Sequence, residues 1–338
     1  MDIDVILESR QSAASLSALG ELAEQHGIRA VWVSSLLNSR DPYANFSLLA
    51  QRSSRLRMGP IAVNPFDTHP VRIAAGLLTL NELCRGRALI VIGGGGEALE
   101  ALSIQPTRRV RAVSECVQII KGVASGKRFD FDGQLYTVHG YQMSWAEAPA
   151  PKIYIGANGP QMLRMAARRG DGIMLSDMPA SMLPAALVEI DAGLASAGRN
   201  REGFPISNFM AWHVYQDRSQ AYREGRQWLL LRGLFRPAIL ETFLQPADVN
   251  LVMASKAAFV DAFTQASDEV AGVPDSVLNA LVANLTLAGS VAELDDKIAK
   301  LRALASAGLT EVALRLYQDP ETSIRLLGNQ VIPALRGP

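Results

Sequence analysis

The stretch from Arg87 to Glu100 joins an apolar run of strand length, four glycines at positions 93–96 and a carboxyl group at Glu97. Because glycine has no Cβ, four in succession weaken a strand or helix and let the backbone lie close to a flat or anionic ligand. No Lys-Ser or Lys-Thr pair follows them, so they are not a nucleotide P-loop. The stretch therefore predicts a ligand-contacting loop beside one acid, with a flexible turn as the alternative.

A second loop, Gly-Ala-Asn-Gly at positions 156–159, precedes a predicted helix that begins near Pro160. The free backbone N–H groups and the dipole of a helix start favour an anion, whereas a simple turn is the alternative. Two histidines also lie near predicted strand ends. His69 is interpreted as bracing the helix that follows it, and His213 fits a site residue and a packed histidine equally well.

Composition narrows the classes of partner. The 338 residues contain 33 basic and 33 acidic side chains, with no basic run that would favour nucleic acid or an anionic membrane surface. Cys84 and Cys116 form no metal-binding pattern, which argues for a reduced protein without structural zinc. Neither an export leader nor an apolar run of about 18 residues is evident, so we expect a cytoplasmic protein that acts on small molecules.

Apolar runs of strand length alternate with helical patterns eight times along the chain. The predicted strands are residues 2–7, 30–33, 56–63, 88–92, 152–155, 172–175, 206–214 and 311–316. This number and order favour an α/β fold of the (β/α)8 TIM-barrel type with insertions over an open doubly wound sheet. We expect one domain over residues 1–338, with a hairpin insertion at 126–151 and a helical insertion at 235–285 that could be a substrate lid.

The chemistry of such a barrel belongs at the carboxyl ends of its strands. The polar and glycine residues that follow the predicted strands therefore share one mouth. They are Glu8, Ser9, Ser34, Ser35, Asn64, Gly93–Glu97, Gly156–Gly159, Ser176, Asp177 and His213.

Several segments, in the same order and spacing, resemble the bacterial luciferase-like superfamily. The similarity is greatest to its coenzyme F420 (deazaflavin)-dependent reductases, which are related to methylenetetrahydromethanopterin reductase and glucose-6-phosphate dehydrogenase. The matching blocks are VWVSS with DPY at 41–43, MGPIAVNPFDTHP at 58–70, VIGGGGEALE at 91–100, YIGANGPQMLRMA at 154–166, GDGIML at 170–175 and LAGSVAEL at 287–294. The resemblance implies a luciferase-like barrel, usually dimeric, with the cofactor in the mouth; residues from about 235 to 283 match nothing in the family.

The resemblance also implies roles for particular residues. A non-prolyl cis peptide between Ile61 and Ala62 would form a bulge behind the deazaflavin ring, with an ordinary trans strand end as the alternative. The hydroxyl of Ser176 would contact the cofactor phosphate. The other cofactor contacts that the family pattern implies are those of Asn64, Gly95, Gly96, Gly156, Ala157, Asn158 and Gly159.

Glu97 matches a carboxyl group proposed as a proton donor in the sugar-phosphate branch. Hydride delivery leaves an anion that must be protonated, and a sheltered Glu can have its pKa raised enough to donate near neutral pH. The alternative is an acid that stabilises the helix start beside it. Relatives commonly have Asp, often followed by His, where this chain has Ser35-Leu36, so Ser35 is left to hydrogen-bond a cofactor or substrate carbonyl.

The leading hypothesis is an oxidoreductase that transfers a hydride from reduced F420 to an already electrophilic C=C, C=N or C=O bond. Glu97 and Ser35 would be its catalytic residues, and the cytoplasmic enzyme would be a homodimer acting on a small-molecule or peptide substrate. The alternatives are an FMN-dependent monooxygenase of the same superfamily and a non-catalytic cofactor-binding relative.

Overall fold

Eight parallel strands of the described chain close into a barrel. The computed structural model describes residues 1–147 and 149–336, with the backbone alone for Glu97 and Ala98. In chain order the strands are β1 (Asp2–Leu7), β2 (Ala30–Ser34), β3 (Arg57–Ile61), β4 (Leu89–Ile92), β5 (Phe129–Asp132), β6 (Thr137–Tyr141), β7 (Lys152–Gly156), β8 (Gly172–Ser176), β9 (Ile206–Tyr215), β10 (Thr286–Ser290) and β11 (Glu311–Leu316).

The barrel runs in the order β3-β2-β1-β11-β9-β8-β7-β4. Three backbone hydrogen bonds join its ends: the Met58 N–H donates to the Arg87 carbonyl at 3.3 Å, the Val63 N–H to the Val91 carbonyl at 2.9 Å, and the Gly93 N–H to the Val63 carbonyl at 2.8 Å. All eight strands predicted for the barrel are present at the expected places. The prediction of a TIM-barrel fold is confirmed.

Helices follow the barrel strands. They are α1 (Ala13–Gln25), α2 (Pro42–Arg52), α3 (Pro70–Leu83), α4 (Arg109–Val123), α5 (Pro160–Arg169), α6 (Leu183–Ala195), α7 (Arg218–Gln227), α8 (Pro237–Leu240), α9 (Pro246–Ala254), α10 (Lys256–Thr264), α11 (Asp275–Leu285), α12 (Leu294–Ser306), α13 (Pro320–Leu326) and α14 (Ile332–Arg336). They cover the outside of the barrel, except that α8 to α11 form a separate group. The side chains of Ser12, Asp41 and Asp217 cap α1, α2 and α7 by accepting backbone N–H bonds. Within the described ranges, no helix has the length and apolar character needed to cross a bilayer.

Alternate side chains of the strands fill the barrel, because successive residues of a strand point to opposite faces. The largest of the inner side chains, Trp32 and Tyr154, meet edge to face with their ring centroids 5.7 Å apart. The inner apolar cluster consists of Ile6, Ala30, Trp32, Ile61, Leu89, Val91, Tyr154, Met174, Phe209 and Ala313. The other face of each strand packs against the helices in the main core. The middle of the barrel is therefore packed, which leaves chemistry to the mouth.

A buried polar network ties the amino-terminal ends of four barrel strands together. Arg29 donates to Asp4 through Nε at 2.9 Å and through Nη2 at 2.5 Å, and its Nη2 also lies 2.7 Å from Glu311 Oε2. The Tyr154 hydroxyl donates to Glu311 at 3.1 Å, and the Trp32 indole N–H donates to Asp4 at 2.9 Å. The positive charge of one guanidinium thus offsets the negative charge of two carboxyl groups that are shielded from water.

This network makes stability depend on pH. Burial raises the pKa of Glu311 from 4.5 to about 7, with Asp4 acting in the same direction and Arg29 against it. Because the folded state binds this proton more tightly, Glu311 makes stability fall as pH rises from about 4.5 to about 7, by roughly 2–3 kcal/mol. Glu311→Gln should flatten that part of the profile, measured as the difference in unfolding free energy between the two proteins at pH 5 and pH 7.5. Parallel profiles would contradict this assignment.

Two segments lie outside the regular alternation. β5 and β6 form a separate antiparallel pair between α4 and β7. Helices α8 to α11 follow β9 and build a second apolar core together with Tyr215 and Ala288. β10 then pairs in parallel with the carboxyl-terminal half of β9, from Ala211 to Tyr215. The sequence analysis missed β10, because its five residues contain Ala, Gly and Ser and read as the approach to a helix cap.

Candidate active site at the barrel mouth

The loops that follow β4 and β7 are rich in glycine, so backbone rather than side chains lines one half of the mouth. Gly95 has a φ of +76°, and a Cβ there would lie 2.4 Å from Leu99, so the fold itself requires this glycine. Gly96 and Gly159 differ, because both have extended backbones and a Cβ on either would meet no atom within 4 Å. The protein does not need glycine at these two positions for its own packing, and they border open space.

The peptide bond between Ile61 and Ala62 at the end of β3 is cis, which confirms the conformation implied by the family resemblance. Ala62 is exposed and lies beside Gly93, where an added Cβ would approach Ala62 Cβ to 3.1 Å. The side chain of Asn64 is engaged in its own loop. Its Oδ1 accepts the N–H of Phe66 at 2.9 Å, and its Nδ2 donates to Asp67 at 2.7 Å.

Asn158 joins the ends of β7 and β8. Its Nδ2 donates to the Ser176 carbonyl at 3.0 Å, and its Oδ1 accepts the Ser176 N–H at 3.0 Å. Gly159 precedes α5 with no side-chain cap, Pro160 occupies the first helical position, and the Leu163 N–H donates to the Gly159 carbonyl at 2.9 Å. The first-turn N–H groups before Leu163 therefore face the loop as helix-start donors suited to an anion.

The end of β8 brings a charge next to this helix start. Ser176 donates from Oγ to Asp177 at 3.1 Å, and Asp177 is almost fully buried. Arg232 compensates Asp177 with Nη1 3.4 Å from Oδ1, and Arg236 donates to the Ser176 carbonyl at 3.0 Å. Burial raises the pKa of Asp177 above its usual value, and the two arginines oppose that shift. Arg232 and Arg236 thus offset the charge of this carboxyl group, which lies beside the Ser176 hydroxyl.

The ends of β1, β9 and β11 give the other half of the mouth a polar character. Arg315 pairs with Glu8 at 2.8 Å, and its guanidinium lies 5.1 Å from the centre of the Tyr317 ring. Burial opposes ionisation of Glu8, but the charge of Arg315 and the hydrogen bonds from Arg10 lower its pKa below the usual value. The Arg232 guanidinium lies 4.5 Å from the centre of the Phe209 ring. Each of the two buried mouth arginines therefore pairs with a carboxyl group and with an aromatic face.

His213 is fully buried at the end of β9 and stacks on Tyr317, with ring centroids 4.6 Å apart and planes inclined by 20°. Its Nδ1 lies 2.6 Å from Glu224 Oε2, which also accepts the Tyr215 hydroxyl. Burial lowers the pKa of His213, as do the nearby charges of Arg232 and Arg315, while Glu224 raises it. His213 is therefore neutral near pH 7.

Three other residues that the sequence analysis singled out are Glu97, Ser35 and His69. Glu97 begins a short helical turn, Glu97–Leu102, at the end of the glycine loop, but its carboxyl group lies outside the described part of the structure. Ser35 is half-buried and its backbone N–H donates to the Ile61 carbonyl at 2.8 Å. His69 caps α3 by accepting the Val71 N–H at 3.3 Å, which confirms the interpretation that it braces this helix.

Sequence reasoning missed four polar residues of the mouth. The side chain of Arg315 points into the barrel from β11. A charged residue within an otherwise apolar predicted strand could have indicated a site residue. Nothing in the sequence pattern around Glu224 or Tyr317 indicated a functional role. Glu224 lies in a predicted helix, and Tyr317 directly follows a predicted strand. Arg232 lies in a segment between two short helical turns, where no periodicity defines an orientation. The missed residues are Glu224, Arg232, Arg315 and Tyr317.

A closed parallel barrel with a glycine-lined loop, a non-prolyl cis peptide after β3 and an uncapped α5 is consistent with the luciferase-like class. The family model described as luciferase-like monooxygenase matches residues 1–311, and the chain belongs to that family. The resemblance predicted from the sequence blocks is confirmed.

Relatives that are similar to the chain in sequence include a reductase and an F420-dependent dehydrogenase. It is 31% identical over 321 residues to the 5,10-methylenetetrahydromethanopterin reductase of Archaeoglobus fulgidus, which covers 94% of each chain. The F420-dependent glucose-6-phosphate dehydrogenase of Kineococcus radiotolerans is 30% identical over 226 residues, 61% of this chain and 66% of that one. The structure of coenzyme F420 dependent tetrahydromethanopterin reductase from Methanopyrus kandleri superposes with a TM-score of 0.82 at 20% identity, over 99% of both chains, which shows the shared fold.

Proposed function

We propose that this protein is a coenzyme F420-dependent oxidoreductase that transfers a hydride between the deazaflavin and an electrophilic C=C, C=N or C=O substrate. The observation that carries the proposal is the open space beside Gly96 and beside Gly159, the second of which begins the uncapped α5. The similarity over 94% of the chain to a methylenetetrahydromethanopterin reductase supports this chemistry over the FMN monooxygenases of the same family.

The residues present fit such a cofactor. Ala62 and the glycines at the end of β4 would lie against the deazaflavin ring, since they offer backbone and a methyl group rather than bulky side chains. The first turn of α5 would hold the phosphate, and the Ser176 hydroxyl would join it by exchanging its hydrogen bond to Asp177 for one to the phosphate. When bound, the deazaflavin supplies or accepts the hydride. Asn158 and Asn64 would act indirectly, by fixing the loops at Ser176 and after β3.

The residues of this chain then have three tasks. The packed barrel interior under the mouth excludes water from the reacting face. The Ser35 hydroxyl is proposed to orient a carbonyl oxygen of cofactor or substrate. Glu97 is proposed to deliver the proton that balances hydride transfer, because its position after the glycines puts it at the end of β4.

Binding measurements with both cofactors test the proposal. F420 fluorescence should saturate on addition of the protein, whereas FMN should bind far more weakly. Tight FMN binding together with oxygen consumption by the reduced flavin complex would show a monooxygenase instead. F420 binding without turnover of any enone, imine or ketone would show the non-catalytic relative.

A bulky side chain at Gly159 should block the cofactor without unfolding the protein. The Cβ of Gly159→Val lies in open space, so we expect the F420 dissociation constant to rise at least about tenfold, equivalent to ~1.4 kcal/mol, with only the modest loss of stability that a β-branched N-cap brings. Ala18→Val on the exposed side of α1 is the matched control for a β-branched residue. Equal F420 affinity in both variants would place the cofactor elsewhere.

We also propose that the enzyme is a cytoplasmic homodimer built from one barrel domain over residues 1–338. The hairpin at residues 126–151 and the helices at 235–285 would be insertions, the second a lid over the substrate. Its neighbour Arg232 and its own Arg236 support the lid role, since both contact the end of β8. Light scattering should give twice the chain mass of 36.4 kDa.

A further inference from the structure

Arg236 brings a positive charge to the end of β8. It directly precedes α8, in the part of the chain that matches none of the family sequence blocks. Its Nη1 donates to the Ser176 carbonyl at 3.0 Å, and Asn158 Nδ2 donates to the same oxygen at 3.0 Å. Because both donors contact one atom, Arg236 Nη1 lies no farther from Asn158 Nδ2 than twice that distance. The guanidinium is therefore close to the loop that begins α5 at Gly159.

The side chain of Arg236 is accessible from solvent. Arg236 is exposed, whereas the side chain of the nearby Arg232 is 4% exposed and pairs directly with Asp177. Burial raises the pKa of Asp177, and the charge of Arg236 opposes that rise from a longer distance. Arg236 itself forms no ion pair with a carboxyl group of the described residues. A ligand anion at this strand end can therefore reach Arg236, but not Arg232.

The proposed position of the cofactor phosphate lies near a carboxyl group. The Ser176 hydroxyl, which is proposed to turn to the phosphate, donates to Asp177 at 3.1 Å in the free protein. A phosphate that takes over this hydroxyl comes close to Asp177, and two neighbouring negative charges repel each other. A cation that reaches the phosphate reduces this penalty. Arg236 lies at the carbonyl oxygen of the same serine and is such a cation.

We propose that Arg236 binds the phosphate of the cofactor through a charge-assisted hydrogen bond, beside the Ser176 hydroxyl and the first turn of α5. A guanidinium has five N–H donors, so its bond to the Ser176 carbonyl can persist while another donor contacts the phosphate. The helical segment that begins at Arg236 is thereby connected to the cofactor. This assignment rests on the proposed F420-dependent function.

A purely structural role for Arg236 is the competing explanation, because its bond to the Ser176 carbonyl also holds the loop after β8. The two roles differ in what they require of the ligand. A structural arginine supports every ligand that uses this loop, whereas a phosphate-binding arginine acts only on a ligand that carries a phosphate. Deazariboflavin, which has the same ring system as F420 but lacks the phosphate-bearing side chain, is therefore the matched probe.

Fluorescence titration of Arg236→Gln with F420 and with deazariboflavin tests the assignment. We expect the dissociation constant for F420 to rise about tenfold, because a hydrogen bond between two charged groups is lost, and that for deazariboflavin to stay the same. Removal of the guanidinium and removal of the phosphate form a double-mutant cycle, whose coupling measures the contact between them. Equal losses for both ligands, or no loss for F420, would overturn the proposal.

Arg40→Gln is the matched control. Arg40 is exposed, and its Nε likewise donates to a backbone carbonyl, that of Arg10, at 3.3 Å. The control should leave the affinity for both ligands unchanged, and a loss of F420 affinity equal to that of Arg236→Gln would overturn the specific contact. Absence of F420 binding by the unmutated protein would overturn the proposed function itself. F420 binding by the unmutated protein without coupling in the cycle would overturn only the role of Arg236.

Discussion

Replacing Glu97 by Gln is expected to lower the turnover number by about 10²–10⁴-fold, with little change in F420 affinity. Gln keeps the size and polarity of Glu but has no proton to donate near neutral pH. If Glu97 protonates the anion left by hydride transfer, only the chemical step should slow. The measurement is the single-turnover oxidation of reduced F420 with the best substrate of an enone, imine and ketone panel, alongside fluorescence titration of F420.

Glu100→Gln is the control for this variant, because Glu100 lies in the same short helical turn and is exposed. It should leave turnover unchanged. A Glu97→Gln protein with the original rate but a lower melting temperature would assign Glu97 to the stabilisation of that helical turn. This outcome would separate the two interpretations that the sequence left open.

Replacing Arg29 by Met is expected to destabilise the protein by about 3–5 kcal/mol. Asp4 is fully buried and Glu311 nearly so, and Arg29 is the cation that contacts both. Met retains much of the volume but leaves two carboxyl groups to share the interior with hydrogen bonds from Trp32 and Tyr154 alone. The measurement is the free energy of unfolding from urea denaturation at neutral pH.

Arg52→Met provides the matched comparison, because Arg52 pairs with Glu21 at 3.4 Å on an exposed surface. Removal of that pair should cost about 0–1 kcal/mol. A loss below ~1 kcal/mol for Arg29→Met would mean that Asp4 and Glu311 are protonated and need no counter-charge. The loss should therefore shrink at pH 5, where Glu311 takes up its proton more readily in the folded protein.

The barrel could be predicted because its signals are local. Each strand is an apolar run flanked by polar residues or glycines. Eight repeats of that pattern with helices between them fit few other folds. The Gly156–Gly159 loop could be placed for the same reason, since Pro160 marks the helix start. The cis peptide at Ile61 came from family resemblance rather than from local chemistry, because no property of Ile or Ala favours it.

The polar half of the mouth could not be predicted, because its contacts are long-range. His213 meets Tyr317 more than 100 positions away, and Arg232 reaches Asp177 from a segment without periodicity. Asn158 was assigned to the cofactor from its loop, yet its amide is used on both sides by Ser176. Pairings of this kind depend on which strand ends become neighbours, and they appear only once the barrel is closed.

The two halves of the mouth are also separate in the chain. The loops proposed for the cofactor, together with the proposed catalytic residues Ser35 and Glu97, end at Ser176, with Arg236 as a further proposed contact after them. The buried polar groups of the other half begin at His213, apart from Asp177 and Glu8 as counter-ions. If these proposals hold, the part of the chain up to β8 is constrained in evolution by the cofactor. The part after β8, apart from Arg236, is free to change in sequence as long as the barrel still closes. Recombination downstream of β8 would then be a direct route by which such a barrel acquires a new substrate while retaining its redox partner.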